Sequence, residues 1–248
     1  MSANLMSLAR SGGKCLKLYG DRKMMKTMPT AKDYIQDGLV AMWDGIENAG
    51  WGVHNPNATV WTDLTGNLEP FQLPKVATVG TNYIDFNHGS TNFVSHSFSS
   101  VKTIEVGFSV LPTTERGAGL HFGTVRSYAR GLSLFPYMYI GVSQVIQHAS
   151  TVFDFSYDAE IDEFTTASLT IEDGIWTGFT KASQKKTVSR NEGFIIDSSV
   201  SFGNYVAGGI ERGFGRKALF SRLYNRALTD AEIAANYAID KARFNLPD

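Results

Sequence analysis

The chain has 248 residues, and its 23 Lys and Arg residues nearly balance its 24 Asp and Glu residues, which leaves a formal net charge of -1. This balance excludes a domain-wide basic field of the kind that binds nucleic acid, and the chain has no run of about 18 apolar residues that would span a membrane. Cys15 is the only cysteine, so an intrachain disulfide is excluded. We therefore expect neither nucleic acid nor a membrane as a partner of the main domain.

The first 33 residues are basic and show no clear hydrophobic period. They hold only Asp21 and Asp33 against a larger set of basic residues, and we predict that residues 1–33 form an extended or disordered arm. An arm of this charge is suited to lying along a neighbouring subunit in an assembly. No continuous apolar segment of about 7 residues follows Met1, so we expect no export signal. The basic residues are Arg10, Lys14, Lys17, Arg22, Lys23, Lys26 and Lys32.

From residue 34 onward, short apolar or alternating segments are separated by turn signals about every ten residues, which is typical of a β-sandwich or barrel. In the clearest segment, Ile104, Val106 and Phe108 alternate with polar or small residues, which predicts a strand with one buried face. The predicted strands are residues 38–43, 59–64, 82–86, 104–110, 120–122, 137–142, 152–155, 168–171, 175–179, 193–196 and 217–224.

One helix is predicted near the end of the chain. Thr229 as N-cap and Glu232 three positions later form a capping box, and Leu228 and Ile233 flank it as a hydrophobic staple. Acidic residues in the first turn and basic residues near the last turn match the helix dipole.

Two stretches together carry a family resemblance. The first is residues 37–45 followed by Trp61-Thr62-Asp63-Leu64-Thr65-Gly66-Asn67, and the second is residues 218–233. They resemble the opening strand and turn, and the last strand and closing helix, of the laminin-G-like / concanavalin A-like lectin-glucanase superfamily. The resemblance implies an all-β fold, a two-sheet antiparallel jelly-roll sandwich over residues 34–248 with a short C-terminal helix.

The turn in the first stretch has a physical reading of its own. Gly66 and Asn67 are residue types that adopt a positive φ, and the Asp63 side chain can hold the turn backbone. Such residues mostly fix the loop in the superfamily, so we predict a structural role for Asp63, Gly66 and Asn67.

A narrower resemblance concerns residues 34–52, which are similar to proteins of gut bacteria and of their phages and prophages. Together with the expected sandwich fold, the lack of a complete catalytic set, the expected lack of an export signal and the basic arm, it favours a non-catalytic structural or attachment protein of a phage or prophage particle, located in the virion, that presents a lectin-like sandwich. The expected partners are other virion or assembly subunits, including further copies of this chain. The alternative is a carbohydrate-binding module or surface adhesin at the cell surface, with a glycan as its ligand.

The superfamily contains glycosidases, and a retaining glycosidase needs two carboxyl groups about 5–5.5 Å apart. In the two carboxylate spacings known in the superfamily, the second glutamate follows the first by four or by five positions. Glu160 and Asp162 begin such a pattern, but Phe164 and Thr165 occupy the two positions where that second glutamate is needed. Glu163 points to the opposite face of the strand. We therefore predict that the protein is not an enzyme and has no catalytic residues, with a glycoside hydrolase as the remote alternative.

The same acidic stretch is interpreted as a solvated hairpin or strand end. Calcium is the alternative, since carboxylates with nearby carbonyls suit a hard cation. The five histidines show no paired spacing and no cysteine cluster accompanies them, so a zinc site has no support. We predict no cofactor and no metal, with calcium kept as the alternative at Asp154, Asp158, Glu160, Asp162 and Glu163.

A sugar site requires aromatic side chains that face solvent, together with polar partners. The loop after the first strand offers Trp51, His54 and Asn55, and the middle of the chain offers Tyr137 and Tyr139. These five residues are the predicted ligand-binding set.

Overall fold

The computed structural model describes residues 28–87, 94–95, 101–109, 120–122, 132–139, 142–148, 151–154, 162–189, 199–202, 205–207, 210–212 and 217–247. A 3₁₀ helix over Ala31–Asp33 comes first, and the helix α1 (Asp230–Phe244) comes last. Between them lie the strands β1 (Leu39–Asp44), β2 (Val60–Trp61), β3 (Phe71–Gln72), β4 (Thr78–Val79), β5 (Ile84–Asp85), β6 (Val94–Ser95), β7 (Thr103–Ser109), β8 (Leu120–Phe122), β9 (Leu132–Tyr139), β10 (Val142–His148), β11 (Thr151–Asp154), β12 (Phe164–Glu172), β13 (Ile175–Thr180), β14 (Ser183–Ser189), β15 (Ser199–Phe202), β16 (Tyr205–Ala207), β17 (Ile210–Arg212) and β18 (Lys217–Tyr224).

The strands form one large sheet and one smaller sheet. The large sheet has the order β14-β13-β12-β7-β18-β5-β4, and β1 also pairs with β18. The second sheet has the order β11-β10-β9-β8-β15-β6, and β2-β3 and β16-β17 are separate pairs. Every pairing among the described strands is antiparallel. The predicted all-β, two-sheet antiparallel sandwich with a C-terminal helix is confirmed.

Strand β18 lies beside the first strand of the domain, although the two are far apart in the sequence. It pairs with β7 along one side and with β1 along the other, where Tyr224 lies opposite Leu39 and Phe220 lies opposite Asp44. Its bounds match the predicted strand of residues 217–224. The first strand and the last strand of the domain are therefore neighbours in the middle of the large sheet.

One face of the large sheet forms the main hydrophobic core. Ile104, Val106 and Phe108 of β7 lie in this core beside Ala167, Leu169 and Ile171 of β12. Alternate residues of a strand point to the same face, so each strand contributes every second side chain. The aromatic members of the core are Trp43, Trp61, Phe71, Phe86, Phe108 and Trp176.

The prediction of one buried face for residues 104–110 is wrong. All seven residues of β7 are buried, including Thr103 at 0% and Glu105 at 2% exposure. The reason is tertiary, because Asn236 of α1 packs against Glu105, and the segment before α1 covers Thr103 through the Leu228 amide. The alternation along the strand carries no information about this second covering layer.

Helix α1 begins as predicted. The Thr229 hydroxyl accepts a hydrogen bond from the Glu232 amide at 3.3 Å, and the Glu232 carboxylate accepts one from the Thr229 amide at 2.9 Å. Leu228 and Ile233 pack in one hydrophobic cluster with Tyr224. The helix ends at Asn245, whose φ of 54° is left-handed. Among the described residues, no helix is long and apolar enough to cross a membrane.

The N-terminal boundary differs from the sequence-based division at residue 34. Residues 1–27 of the predicted arm lie outside the described residues, and Ala31–Asp33 form a 3₁₀ helix that packs on the domain. Ala31 is fully buried, and its amide donates to Glu47 Oε1 at 2.8 Å. The packed structure therefore includes three residues that were assigned to the arm.

Candidate functional site

The predicted ligand-binding loop, residues 45–59, is held by two polar side chains. The Asn48 amide group donates to the Asn55 carbonyl at 2.9 Å and accepts from the Asn55 amide at 2.8 Å. The Glu47 carboxylate accepts from the amides of Ala31 and Gly52 at 2.8 and 2.7 Å. These bonds fix the course of the loop beside the 3₁₀ helix.

The three predicted residues of this loop have different surroundings. Trp51 is half-buried against a small hydrophobic cluster, and the Lys32 ammonium lies 5.7 Å from the centroid of its ring. His54 is exposed, with Nδ1 2.8 Å from the Ile46 carbonyl oxygen. The exposed Asn55 is tied to Asn48 through its backbone.

A cavity of about 400 Å³ opens beside His54. Its other walls include Met28, Pro29, Ile46 and Arg243. The guanidinium of Arg243 already binds buried carboxylates, so it is not available to a ligand. Of the predicted loop residues, only His54 reaches this cavity, and their roles in binding stay predictions.

Tyr137 and Tyr139 lie in β9, opposite Gln144 and Val142 of β10. Their side chains lie outside the described residues. Their role in binding also stays a prediction.

The predicted turn is held by one carboxylate. Asp63 accepts hydrogen bonds from the Met42 amide at 2.8 Å and the Asn67 amide at 3.0 Å. Gly66 has a φ of 73°, which is the left-handed region that favours glycine. The Asn67 side chain donates to the Val40 carbonyl at 3.0 Å. The turn is thereby attached to β1.

A buried layer of charged side chains separates the large sheet from α1. Arg222 of β18 forms a 2.8 Å ion pair with Glu105 of β7 and a two-pronged ion pair with Asp240 of α1 at 2.8 Å. Asn236 donates to Glu105 at 2.8 Å, and the Tyr34 hydroxyl donates to Asp240 at 2.7 Å. All five side chains are buried. A buried charge is tolerated when it is paired in this way.

The layer continues toward the end of α1. Arg243 donates to both oxygens of Asp44 at 2.6 and 3.2 Å and to Glu47 at 2.9 Å. Both arginines also contact the Tyr34 ring, with the Arg222 guanidinium carbon 4.0 Å and the Arg243 guanidinium carbon 5.4 Å from its centroid. The layer fastens α1 and the N-terminal segment to the sheet.

Burial has the largest effect on the pKa values of Glu105, Asp44 and Tyr34 in this layer. Desolvation raises the pKa of Glu105, and Arg222 offsets this only in part. Desolvation likewise raises the pKa of Asp44 against the opposing effect of Arg243. Burial raises the pKa of the Tyr34 hydroxyl well above its usual value, so this hydroxyl remains a donor to Asp240.

A second candidate surface lies where α1 no longer covers the large sheet. Thr103, Thr170, Thr177 and Thr187 stand opposite one another in β7, β12, β13 and β14. The Thr103 hydroxyl is fully used, because it donates to the Arg226 carbonyl at 2.8 Å and accepts from the Leu228 amide at 2.9 Å. Thr170 is 8% exposed and makes no side-chain hydrogen bond in the described part of the chain.

Thr170 and Thr177 line a groove of about 420 Å³ beside the N-terminus of α1, which we call the threonine groove. Thr177 Oγ1 lies 3.4 Å from Thr187 Oγ1, and the Gln184 amide donates to Thr187 Oγ1 at 2.8 Å. Ile175 adds an apolar side chain that is 46% exposed. The carboxylates that line the groove are those of Glu172, Asp173 and Asp230.

The sequence-based choice of ligand-binding residues missed this groove, although two signals point to it. Asp173-Gly174 between two strand-like segments is a strong hairpin signal, and both residues have a positive φ, of 47° and 75°. In β12, Thr166, Ser168 and Thr170 alternate with core residues and so share the opposite face.

The acidic stretch considered for calcium or catalysis is only partly described. Asp162 and Glu163 are exposed, whereas Asp158 and Glu160 and the side chain of Asp154 lie outside the described residues. Among the residues that the structure describes, no group of three or more His, Cys, Asp or Glu side chains is arranged to hold a metal ion.

Comparison with known proteins shows the fold. No family model matches the chain, and no curated protein matches it. Similar solved structures include Trypanosoma rangeli sialidase in complex with sialic acid, at 16% identity and a TM-score of 0.58 over 86% of this chain and 34% of that one. The receptor-binding domain of botulinum neurotoxin D is 12% identical, with a TM-score of 0.59 over 82% of this chain and 52% of that one.

A third structure matches over nearly its whole length. Domain 4 of AbnA, a GH43 extracellular arabinanase from Geobacillus stearothermophilus, in complex with arabinotriose, is 17% identical, with a TM-score of 0.52 over 81% of this chain and 98% of that one. The chain spans about a third of the length of the sialidase chains. Together these neighbours agree with the predicted β-sandwich fold.

The prediction that the protein is not an enzyme is wrong as it stands and is withdrawn. It rested on an incomplete pair of carboxylates, but the similar structures are sialidases and a domain of an arabinanase. A carboxylate pattern from one superfamily branch does not exclude catalysis in a sandwich of this kind.

Proposed function

We propose that this chain is a carbohydrate-binding, lectin-like β-sandwich domain that binds sugar in the threonine groove. The observation that carries this proposal is Thr170, which lines the groove, is 8% exposed, and has a hydroxyl without a hydrogen-bond partner in the described part of the chain. The buried side-chain atoms without a hydrogen-bond partner do not include the Thr170 hydroxyl, so this hydroxyl is open to the groove. A ligand hydroxyl that enters the groove can therefore bond to it without breaking a bond within the protein.

The other groups of the groove suit the same ligand. A sugar ring presents hydroxyl groups at its edge and C–H groups on its faces. Thr177 and Gln184 supply hydroxyl and amide groups, and the exposed Ile175 supplies an apolar contact. Few polar groups combined with an apolar contact are typical of small-molecule sites.

The similar structures support this proposal by what they bind. A sialidase with sialic acid and an arabinanase domain with arabinotriose share the fold, as does a receptor-binding domain of a toxin. The loop set Trp51, His54 and Asn55 is kept as a second contact surface for the ligand.

Glycan binding by the full chain tests the proposal. The protein is screened against immobilised neutral and acidic oligosaccharides, and the tightest binder is titrated by calorimetry. We expect the double variant Thr170→Val/Thr177→Val to bind about tenfold more weakly, because two hydrogen bonds are removed without loss of volume. The matched control is Thr78→Val, an exposed strand threonine of the same sheet that lies outside the groove.

Two outcomes contradict the proposal. One is a chain that binds no oligosaccharide at millimolar concentration, and the other is a double variant that binds as well as Thr78→Val does. The same mixtures are assayed for released sugar, because the similar structures include sialidases and an arabinanase domain.

We also propose that the domain acts in attachment, as a component of a phage or prophage particle that presents the sandwich to a surface glycan. The basic residues of the N-terminal arm and the resemblance of residues 34–52 support this role. Other particle subunits, or further copies of this chain, would be the partners, and a bacterial cell surface is the alternative location. Absence of the protein from purified particles of its source would contradict the particle role.

A further inference from the structure

We infer that the threonine groove selects neutral oligosaccharides and rejects those that carry a carboxylate. This inference rests on the proposed function, since it concerns the same groove. Glu172, Asp173 and Asp230 all line the groove, and the described lining contains no lysine or arginine. An anionic sugar would therefore bring its charge close to three carboxylates, with no cation in the described lining to balance it.

The N-terminus of α1 reaches the groove, and a helix N-terminus by itself favours an anion. A helix N-terminus carries a partial positive charge and free amide donors. Here the Thr229 hydroxyl accepts from the Glu232 amide, and Asp230 and Glu232 place two carboxylates in the first turn. The partial charge of the helix is thus already offset by the protein.

Arg226, a cation beside the first turn of α1, is also committed. It donates to Glu232 at 2.6 and 2.9 Å and forms a 2.8 Å ion pair with Asp37. The hydrogen bond from Arg226, together with the Thr229 amide, lowers the pKa of Glu232 to about 2, so this carboxylate stays ionised at neutral pH. An anionic ligand would have to break these contacts to recruit Arg226.

The ligand class that remains is a neutral hexose or pentose oligosaccharide. Its hydroxyl groups can donate to the three carboxylates and exchange hydrogen bonds with Thr170 and Thr177. Hydrogen bonds with one charged partner are about twice as strong as neutral ones. The carboxylates that repel an acidic sugar would therefore strengthen the binding of a neutral one.

Matched glycan pairs test the inference. Each pair consists of a neutral oligosaccharide and the same oligosaccharide with a terminal sialic acid or glucuronic acid, and both are titrated into the full chain at low salt. We expect the neutral member to bind at least about tenfold more tightly, because like charges a few ångströms apart repel strongly near a protein surface. The difference should shrink in 1 M salt, where charges are screened within about 3 Å.

A charge-removing variant separates repulsion from a steric effect. Glu172→Gln/Asp173→Asn/Asp230→Asn should bring the acidic member to within about threefold of the neutral one, and Glu69→Gln, an exposed carboxylate outside the groove, should leave the difference unchanged. Thermal unfolding checks that each variant is folded. Equal binding of both members by the unaltered chain overturns the inference and leaves the proposed function standing, whereas binding of neither member in any pair overturns both.

Discussion

The outer face of the large sheet, which is the face opposite the main hydrophobic core, has two halves with different surroundings. Under α1, Glu105 and Arg222 are buried and paired with each other and with residues of the helix. Beyond the N-terminus of α1, Thr170 and Thr177 lie on the same face but have no helix above them and line a groove. Both halves are polar along the strands, so polarity alone does not distinguish them.

This difference shows that a helix can cover a charged sheet face only when each buried charge has a partner. A buried charge without its partner is strongly destabilising, and α1 meets this condition by placing Asp240 and Asn236 against Arg222 and Glu105. The uncovered half needs no such partners, because solvent or a ligand can satisfy its hydroxyls. One half is therefore committed to stability, and the other is available for binding.

Removing a charge from the covered half should have the largest effect. We expect Arg222→Met to lower the free energy of unfolding by about 3–5 kcal/mol, because Glu105 and Asp240 lose a buried partner. Urea denaturation followed by fluorescence measures this change.

The matched control is Arg226→Met, whose ion pairs with Asp37 and Glu232 are partly exposed. Exposed pairs contribute about 0–1 kcal/mol, so this variant should remain close to the parent chain. Equal losses in the two arginine variants would show that the covered half owes little to its buried pairs.

Thr103 and Thr170 allow a direct comparison across the border between the halves, since they lie opposite each other in β7 and β12. Thr103→Val should lower the free energy of unfolding by about 1–3 kcal/mol, because the Leu228 amide loses its acceptor. Thr170→Val, which removes a hydroxyl without a partner, should be neutral or slightly stabilising. Thermal and urea unfolding of the two isosteric variants measure both changes, and a Thr170→Val loss as large as that of Thr103→Val would contradict the unpaired state of its hydroxyl.

The covered half should also contribute to the pH dependence of stability. Burial raises the pKa of Glu105 above its ordinary value of 4.5, so the folded chain takes up this proton at a higher pH than the unfolded chain. The resulting stabilisation is complete below pH 4.5 and is lost as the pH rises through the raised pKa, with a slope of at most about 1.4 kcal/mol per pH unit.

Urea denaturation between pH 4.5 and 7 tests this sign. We expect the free energy of unfolding of the parent chain to rise on acidification relative to that of Glu105→Gln, which has no proton to take up. A parent chain that loses stability relative to this variant over the same range would refute the assignment.

Local features of the chain were readable from the sequence. The capping box of Thr229 and Glu232 depends on residues three positions apart, and the strand of residues 217–224 runs almost directly into it. The turn at residues 63–67 was recognisable because its hydrogen bonds are mostly local. Signals of this kind need no knowledge of what packs above them.

The candidate sites were less accessible. His54 was chosen as a solvent-facing ring, and the structure does place it at a cavity, but Trp51 was chosen on the same grounds and is half-buried against the 3₁₀ helix. The arm boundary at residue 34 was placed by charge, whereas Ala31 is buried by a contact with Glu47, sixteen residues away. Contacts over such separations leave no periodic trace in the sequence.

The sequence by itself determined the sandwich, the closing strand and the capped helix, because alternation, turn residues and capping are properties of short segments. Only the tertiary structure decided which half of the outer face α1 covers, and hence that Glu105 is a buried ion partner while Thr170 lines a groove. The two residues lie on neighbouring strands and on the same face. Their roles differ because the helix ends between them, and where a helix lies on a sheet depends on contacts among residues far apart in the chain.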